Sequence, residues 1–246
     1  MIDLSIVIPV YNEQRKIGND LLGAADFLKQ HRLRGEIIVA DDGSQDATAA
    51  TAAASPVADL CAVRVLRLHP HRGKGHAVRQ GMMQSSGDII LFIDSGSCIP
   101  WEEIMRGMQL IQRGACDIAH ASRRLPHSVI VRKRSPARRI SAWLFRQLFS
   151  RCLGLPRDLS DTQAGLKVYR GEIGRSLYRA CASDGFLFDA ETILRARHAG
   201  YRLCEFPVTW TSDPDSRLRL RWMPFILIRE AFSLKRRLRR EWKTEK

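Results

Sequence analysis

The sequence predicts an α/β protein built on a doubly wound, mostly parallel sheet. Short runs rich in β-branched residues alternate with stretches of helical periodicity through the first half of the chain, the pattern of successive βα units. The run Ile89–Ile93 is apolar throughout, as expected of a central strand buried on both faces. Polar and acidic residues follow several of these runs directly, and ligands of open α/β sheets bind at that carboxyl edge.

Five strands are predicted in the first half of the chain. Apolar residues at helical spacing follow the first strand, an alanine-rich segment follows the second, and a lysine between two glycines follows the third. Successive βα units of this length pair into a parallel sheet with right-handed crossovers. The predicted strands are Leu4–Val10, Glu36–Ala40, Ala62–Leu68, Ile89–Ile93 and Asp117–Ala121.

The second half of the chain predicts two more strands and two more helices. Asp161–Tyr169 begins with polar residues and ends in alternation, which predicts a loop leading into a strand. Gly185–Glu191 opens a helix, and Tyr201–Trp210 is predicted as a final strand. We expect one domain over residues 1–221. Residues 222–246 are predicted to form a basic amphipathic helix that either lies in the headgroup layer of a membrane or packs on the domain with a frayed basic end.

The charge of the chain implies anionic partners. Its 246 residues carry a formal net charge of +14, and the segment Arg123–Arg139 holds seven Lys or Arg residues and no acid. Nucleic acid is not expected among these partners, because the basic residues accompany neither a helix-turn-helix nor an aromatic stacking module.

Cysteine usage and hydropathy predict a cytoplasmic protein. The six cysteines show neither CxxC nor zinc spacing, and the N-terminus leads into a strand without a signal peptide. Reduced thiols are therefore expected. No apolar run approaches the roughly 20 residues that a spanning helix needs.

Chemically distinctive residues follow the predicted strands. Asp94 follows Ile89–Ile93 directly, Asp41 and Asp42 follow the second strand, and Lys74 lies between two glycines before a helix. Each feature also has a structural interpretation, because Asp is a favoured helix cap and glycine is common in turns. A lysine at a helix N-terminus is, however, suited to binding phosphate, and a parallel sheet would bring all these residues to one crevice.

Six segments carry motifs in a characteristic order and spacing. They read SIVIPVYNE, IIVADDGSQDAT, HRGKGHAVRQGM, GDIILFID, DTQAGLKVY and GFLFDAETILRARHAGYRLCEFPVTW. From Ser5 to about Leu218 the chain resembles the family 2 inverting glycosyltransferases of the GT-A fold, above all those that act on dolichyl phosphate. The resemblance implies transfer of a hexose, with glucose favoured, from UDP-glucose or GDP-mannose to a polyprenyl or dolichyl phosphate. Two alternatives stay open: a transferase of this fold with a hydroxyl acceptor, and a non-catalytic protein that binds sugar nucleotides or membranes.

The resemblance also implies roles for individual residues. The expected nucleotide-sugar contacts are Pro9, Tyr11, Glu13, Asp41, Asp42, Lys74, Asp94, Ser216 and Arg217. The expected catalytic residues are Asp94, Asp161, Gln163 and Lys167, and the acceptor phosphate is expected at Arg123, Arg134 and Arg138. Asp161 would be a base for a hydroxyl acceptor. An ionised phosphate needs no base, and an orienting or metal-associated role for Asp161 is then expected.

The metal site implied by the resemblance is incomplete. The family's Asp-Ala-Asp motif binds a divalent metal, and here it reads Asp94-Ser95-Gly96. Glycine offers no side-chain ligand, so Mg²⁺ or Mn²⁺ would bind weakly at Asp94 or not at all. Either outcome is compatible with catalysis, and a domain that binds without catalysing is a third interpretation. Gly96 is alternatively required for a positive φ.

The segment Arg132–Arg139 precedes a predicted helix that carries Trp143, Phe145 and Phe149. Cations beside an apolar aromatic face suit a polyprenyl phosphate at a membrane surface, although a solvated basic loop before a core helix has the same composition. Together with the basic residues 222–246, this predicts a peripheral protein at the inner face of the membrane.

Overall fold

The computed structural model describes residues 2–132, 153–156, 158–212 and 223–244. Its strands are β1 (Leu4–Val10), β2 (Gly35–Asp41), β3 (Ala62–Arg67), β4 (Ile89–Ile93), β5 (Ile118–Ser122), β6 (Val129–Arg132), β7 (Leu166–Arg170), β8 (Leu203–Pro207) and β9 (Thr209–Thr211). Its helices are α1 (Ile17–Gln30), α2 (Thr48–Ala53), α3 (Lys74–Met83), α4 (Ile104–Gln112), α5 (Gly171–Ala180), α6 (Phe188–His198) and α7 (Met223–Thr244).

The central sheet has seven strands in the order β3-β2-β1-β4-β7-β5-β8. All its neighbouring strands are parallel except β7, which is antiparallel to both β4 and β5. The chain enters β7 beside the carboxyl end of β4, where the Asp94 N–H donates to the Gly165 carbonyl at 2.8 Å. The predicted doubly wound, mostly parallel sheet is confirmed. The reversed strand β7 adds a loop to the carboxyl edge of this sheet.

Helices cover both faces of the sheet. Alternate residues of β1 point to opposite faces: Ile6 and Ile8 are buried with α1 and α4, and Val7 is buried with α3 and α5. Each such side chain contributes about 1.5–3 kcal/mol when it is fully buried. All five residues of β4 are buried, as the sequence predicted. This two-sided core holds the ends of β1, β2 and β4 in fixed positions.

The predicted final strand Tyr201–Trp210 is wrong as one element. It consists of β8 in the central sheet and β9, which pairs in parallel with β6 in a separate two-stranded sheet. The break follows Pro207, which has no N–H to donate to a ladder and commonly ends a strand. Val208, between the two strands, is buried.

Helix α7 packs on the domain over the turns whose side chains are described. Ala231, Leu234 and Leu238 are buried in a cluster with Ile193 of α6. The Trp242 ring stacks on His198, with a centroid distance of 4.2 Å. The apolar side of α7 between residues 231 and 242 therefore faces the domain. Within the described residues, no helix combines the length and apolar character needed to cross a membrane.

His120 is a buried titratable residue in β5. It is 1% exposed, and its Nδ1 has no hydrogen-bond partner among the described residues. Burial lowers the pKa of His120 well below its usual value, and the charges of Lys167 and Arg197 lower it further, while Asp161 opposes them. The folded protein therefore keeps this imidazole neutral.

Replacing His120 with Gln should remove a pH dependence of stability. Below about pH 6.5 the unfolded chain binds a proton at His120 that the folded chain does not, so stability falls as pH falls, by up to about 1.4 kcal/mol per pH unit. Urea denaturation from about pH 8 to about pH 5 should show the wild type losing stability relative to His120→Gln. His127→Gln, at an exposed histidine, is the control. A constant difference across this range would contradict the prediction.

Candidate active site

Two loops at the carboxyl edge are joined into one wall. The Asn12 N–H donates to Ser44 Oγ at 2.8 Å, and the Glu13 N–H donates to Thr48 Oγ1 at 2.7 Å. Asp41 Oδ1 accepts from the Ser44 N–H at 2.9 Å. These contacts connect the segment after β1 with the segment after β2. Among the predicted nucleotide contacts, Tyr11, Glu13 and Asp41 all lie on this wall.

Tyr11 and Glu13 are positioned by further contacts, whereas Pro9 is a strand residue. The Tyr11 ring stacks on His71, with a centroid distance of 4.0 Å. Glu13 forms an ion pair with Lys16 at 3.1 Å. Pro9 is buried within β1 and pairs with Ala40 in the sheet. The stacked pair therefore offers an aromatic surface at the carboxyl edge, which is suited to a planar base.

Asp42 holds the loop that precedes α3. Its Oδ2 accepts from the Gly73 N–H at 2.6 Å and from the Arg72 N–H at 3.1 Å, and its Oδ1 is 3.0 Å from His76 Nδ1. The carboxylate is 2% exposed. Sequence reasoning predicts that Asp42 contacts the nucleotide. Within the described structure, its oxygens bind the chain's own groups.

The Gly73-Lys74-Gly75 loop lies close to a second segment. A Cβ on Gly73 would lie 2.7 Å from the Asp184 carbonyl oxygen, and a Cβ on Gly75 would lie 2.5 Å from the Ser183 carbonyl oxygen. Gly73 also has a φ of 125°, a conformation that L side chains rarely adopt. These glycines therefore allow the start of α3 to approach the 183–185 backbone.

Sequence reasoning missed the ion pairs that hold this approach. Arg72 and Arg79 both bind the Asp184 carboxylate, each with a shortest N–O distance of 2.6 Å. The basic residues around Lys74 gave a local signal, whereas Asp184 lies more than a hundred residues away and carries no motif. Only the fold reveals that the two segments meet.

Lys74 and Asp94 form the central ion pair of the edge. Lys74 Nζ is 2.5 Å from Asp94 Oδ1, and both side chains are partly exposed, at 25% and 38%. Burial favours the neutral amine, but the charges of Asp94 and Asp189 outweigh it and raise the pKa of Lys74. A Cβ on Gly165 would collide with the Asp94 carboxylate, so the glycine of the DTQAG motif leaves room for this pair.

Asp161 and Arg123 form a second ion pair at the same edge. Arg123 donates through Nε at 2.6 Å and through an η nitrogen at 2.8 Å to the two oxygens of Asp161. Burial opposes ionisation of Asp161, but the hydrogen bonds and charge of Arg123 prevail and lower its pKa to about 2. The guanidinium lies over the Trp210 ring, 5.3 Å from its centroid. An ionised carboxylate bound in this way orients Arg123 and is a weak base.

Lys167 lies beneath the edge rather than on it. Its side chain is fully buried, and its Nζ donates to Asp189 Oδ1 at 2.5 Å and to the Ala164 carbonyl at 3.1 Å. Burial lowers the pKa of Lys167 and raises the pKa of Asp189. The opposite charge of the partner offsets only part of this effect in each case. By contrast, Gln163 of the same motif is exposed. Lys167 thus supports the loop that carries Asp161 and Gln163.

Four predicted site residues, Arg134, Arg138, Ser216 and Arg217, lie outside the described residues. Within the described part of the chain, no group of three or more His, Cys, Asp or Glu side chains is arranged to hold a metal ion. Asp94 is the acid of the expected metal motif, and its carboxylate forms an ion pair with the Lys74 ammonium.

The sequence matches the family described as Glycosyl transferase family 2 over residues 5–173. The chain is 31% identical over 228 residues to the dolichyl-phosphate beta-glucosyltransferase of Dictyostelium discoideum, covering 87% of this chain and 68% of that protein. It is 30% identical over 244 residues to the protein of the same name from Drosophila melanogaster, covering 95% and 74%.

Solved structures with low sequence identity share the fold. Glucosyl-3-phosphoglycerate synthase from Mycobacterium tuberculosis, in complex with phosphoglyceric acid, matches with a TM-score of 0.69 and 18% identity, over 95% of this chain and 80% of that one. The complex of the same synthase with Mn²⁺ and UDP-glucose matches with a TM-score of 0.67 and 18% identity, over 95% and 79%. The predicted GT-A fold is confirmed.

The buried pair of Lys167 and Asp189 generates a test of whether Lys167 acts on a substrate or supports the fold. Lys167→Met leaves the Asp189 carboxylate buried without its closest partner, which should lower the free energy of unfolding by about 3–5 kcal/mol. Removing both charges, with Lys167→Met and Asp189→Leu, should recover most of that loss. Urea denaturation measures all three proteins. A stable Lys167→Met variant that has lost only activity would contradict the supporting role.

Proposed function

Since the chain belongs to glycosyl transferase family 2, we propose that it transfers glucose from UDP-glucose to a polyprenyl phosphate with inversion at the anomeric carbon. The Lys74–Asp94 pair beside the Arg123–Asp161 pair carries this proposal. Two cations there lie at the edge where open α/β sheets bind ligands, in a chain 31% and 30% identical to two dolichyl-phosphate beta-glucosyltransferases.

The donor fits the groups that follow the first three strands. The stacked Tyr11 and His71 rings suit a nucleoside base, and the start of α3 brings a positive dipole end and the Lys74 ammonium to a diphosphate. In this proposal Asp42 acts on the nucleotide through the loop at Gly73, whose N–H it accepts. UDP is the favoured nucleotide, because similar synthase structures contain UDP-glucose.

The proposed reaction needs no proton transfer. An oxygen of the acceptor phosphate attacks the anomeric carbon, the bond from that carbon to the donor's phosphate oxygen breaks, and UDP leaves with the electron pair. The phosphate is already ionised, so a general base is unnecessary. Lys74 stabilises the charge that develops on the leaving diphosphate, and Arg123, oriented by Asp161, holds the acceptor phosphate. Alignment of the two substrates supplies most of the remaining rate.

The described residues do not fit a tight divalent metal site. Structures of the similar synthase contain Mn²⁺ or Mg²⁺ with UDP. Here Asp94 is the one acid of the motif, Gly96 replaces the other, and an ammonium lies 2.5 Å from Asp94 Oδ1. A metal would have to displace this ammonium and would gain a single carboxylate in return. Cationic side chains therefore carry the charge stabilisation in the proposed reaction.

The hydroxyl-acceptor alternative requires a base that this site does not offer at Asp161. With a pKa of about 2 and both oxygens bound to Arg123, Asp161 accepts a proton poorly. The non-catalytic alternative is separated from the proposal by direct measurement of transfer.

Transfer of radiolabelled glucose from UDP-glucose to polyprenyl phosphate should yield a product that extracts into organic solvent. Lys74→Met should lower the rate by about 100-fold or more, the range for losing one group that stabilises transition-state charge. Lys29→Met, at an exposed lysine, should leave the rate unchanged. A water-soluble glycoside as product would indicate a hydroxyl acceptor. Binding of UDP-glucose without any transfer would overturn the enzymatic proposal.

Metal dependence should be weak in the wild type, because the site offers one carboxylate. Gly96 has a φ of 97°, so any side chain at this position strains the turn. Gly96→Ala carries that strain without a carboxylate and is the control for Gly96→Asp. Only Gly96→Asp should gain thermal stability from Mn²⁺ in the presence of UDP. Tight, chelator-sensitive activation of the wild-type transfer rate would show that a metal does bind here.

We also propose that α7 contacts an anionic membrane at the cytoplasmic side. The side of α7 opposite its packed face carries Phe232, which is 58% exposed, and the exposed residues Arg236, Arg239 and Lys243 at helical spacing. The apolar side of α7 packs against α6, so these cations project from the domain. Such a face attracts anionic headgroups, with about 1 kcal/mol for each basic residue near the surface.

Reversing the charges at Arg236, Arg239 and Lys243 to Glu should release the protein from anionic liposomes. The described side chains of this face bury little surface, so the fold should be retained. The matched control reverses Lys29, Arg32 and Arg113, which are exposed elsewhere on the chain. Co-sedimentation at low and high salt measures binding, which should weaken with salt. Equal loss in both triple variants would indicate a response to net charge rather than to this face.

A further inference from the structure

Asp20 is a buried carboxylate in the first turns of α1 that the proposed reaction does not use. It is 1% exposed, and its hydrogen bonds run to the turn after Asp94. The Ser95 hydroxyl donates to it at 2.6 Å, the Gly96 N–H at 3.1 Å and the Ser97 hydroxyl at 3.2 Å. Asp20 therefore lies behind the turn on which the family's second acid would stand.

The turn is shaped around this carboxylate. Gly96 has a φ of 97° and Ser97 a φ of 50°, so two successive residues occupy left-handed conformations. Successive backbone N–H groups of a turn can form a concave site for an anion, and the Gly96 N–H donates to a carboxylate here. Here the anion is Asp20 itself. A non-glycine residue at Ser97 persists in such a conformation only when its surroundings stabilise it.

Helix capping does not explain Asp20. An acid near a helix N-terminus is favoured by the helix dipole, but α1 has Lys16 at its N-cap position with no side-chain capping bond. Burial raises the pKa of Asp20, and hydrogen bonds from Ser95, Gly96 and Ser97 counter that effect. A charge held in this way stabilises the geometry of its donors, which belong to the turn.

The 95–97 turn directly follows Asp94 in the chain. On one side, the Asp94 N–H donates to the Gly165 carbonyl at 2.8 Å, and on the other side the chain continues directly into Ser95. The Asp94 carboxylate lies 2.5 Å from Lys74 Nζ. Small changes at Ser95 and Gly96 would rotate Asp94 away from this ammonium.

We propose that Asp20 is a positioning residue, which fixes the 95–97 turn so that Asp94 holds Lys74 toward the donor diphosphate. The motif lacks an acid at Gly96, but Asp20 lies on the other side of this turn. There the Asp20 carboxylate orders the backbone and does not face a ligand. The expected effect of Asp20 on nucleotide binding rests on the proposed donor site. The ordering of the turn by Asp20 does not depend on the reaction.

The test compares UDP binding in a double-mutant cycle by calorimetry. Asp20→Asn keeps the shape but loses acceptor capacity, and it should weaken UDP binding on the order of tenfold, as expected when charged hydrogen-bond acceptors are removed. Asp94→Asn should have a similar effect. The double variant should bind no more weakly than the weaker single variant, because Asp20 acts through Asp94. If the double variant loses UDP affinity by the product of the two single-variant losses, the proposal is overturned.

Hydrogen exchange provides a structural readout that does not depend on ligand. Peptides covering residues 94–98 should exchange faster in Asp20→Asn and remain unchanged in Asp26→Asn, at an exposed acid of the same helix. The variant with Ser95→Ala and Ser97→Ala removes two donors to Asp20 and should reproduce both effects if Asp20→Asn folds poorly. Wild-type exchange and affinity in that variant would overturn the proposal.

The transfer assay separates this proposal from the proposed function. A wild type that binds UDP with the predicted coupling but transfers no glucose would support Asp20 and overturn the reaction. A wild type that transfers glucose while the losses at Asp20 and Asp94 multiply would support the reaction and overturn the role of Asp20.

Discussion

The ion pair between Lys74 and Asp94 is the contact on which the arrangement of the carboxyl edge depends. It joins the start of α3 to the end of β4, two segments that come from different βα units. Both side chains are partly exposed, so water competes for each of them. The backbone around each residue must therefore be fixed by other contacts if the pair is to persist. Asp42 holds the loop before Lys74, and Gly165 and Asp20 hold the chain on either side of Asp94. The pair thus depends on five segments: the start of α3, the ends of β2 and β4, the loop before β7, and α1.

The sequence was sufficient to predict a mostly parallel sheet and the acid that directly follows β4. Apolar runs such as β4 are readable because a strand buried on both faces excludes polar residues, and Asp94 is conspicuous where the run stops. The direction of β7 was not readable, because strand pairing depends on contacts between distant segments. The internal use of Asp42 was missed for the same reason: its partners at Gly73 and His76 lie more than thirty residues later. Local patterns identify which residues are unusual, whereas the fold decides what they bind.

The DTQAGLK motif shows why neighbouring residues of one motif take different roles. Asp161 precedes β7 and lies at the edge, where it binds Arg123. Lys167 lies within β7, and the alternation of a strand directs its side chain under the loop to Asp189. Resemblance to a family assigns importance to both residues equally. The burial of Lys167 distinguishes support of the site from contact with a substrate.

The proposed donor and membrane sites share one connecting segment. Glu191 of α6 is fully buried and accepts from the Ala182 and Ser183 N–H groups, and it also pairs with Arg237 of α7 at 2.9 Å. Asp184, next in that segment, binds Arg72 beside the glycine–lysine loop. Glu191 is fully buried, whereas Arg237 is partly exposed, so this carboxylate links α7 to the 182–184 backbone through charge-assisted hydrogen bonds. The basic helix and the glycine–lysine loop thus contact the same backbone segment, so the surface proposed to meet the lipid and the cation proposed to meet the donor are connected through residues 182–184.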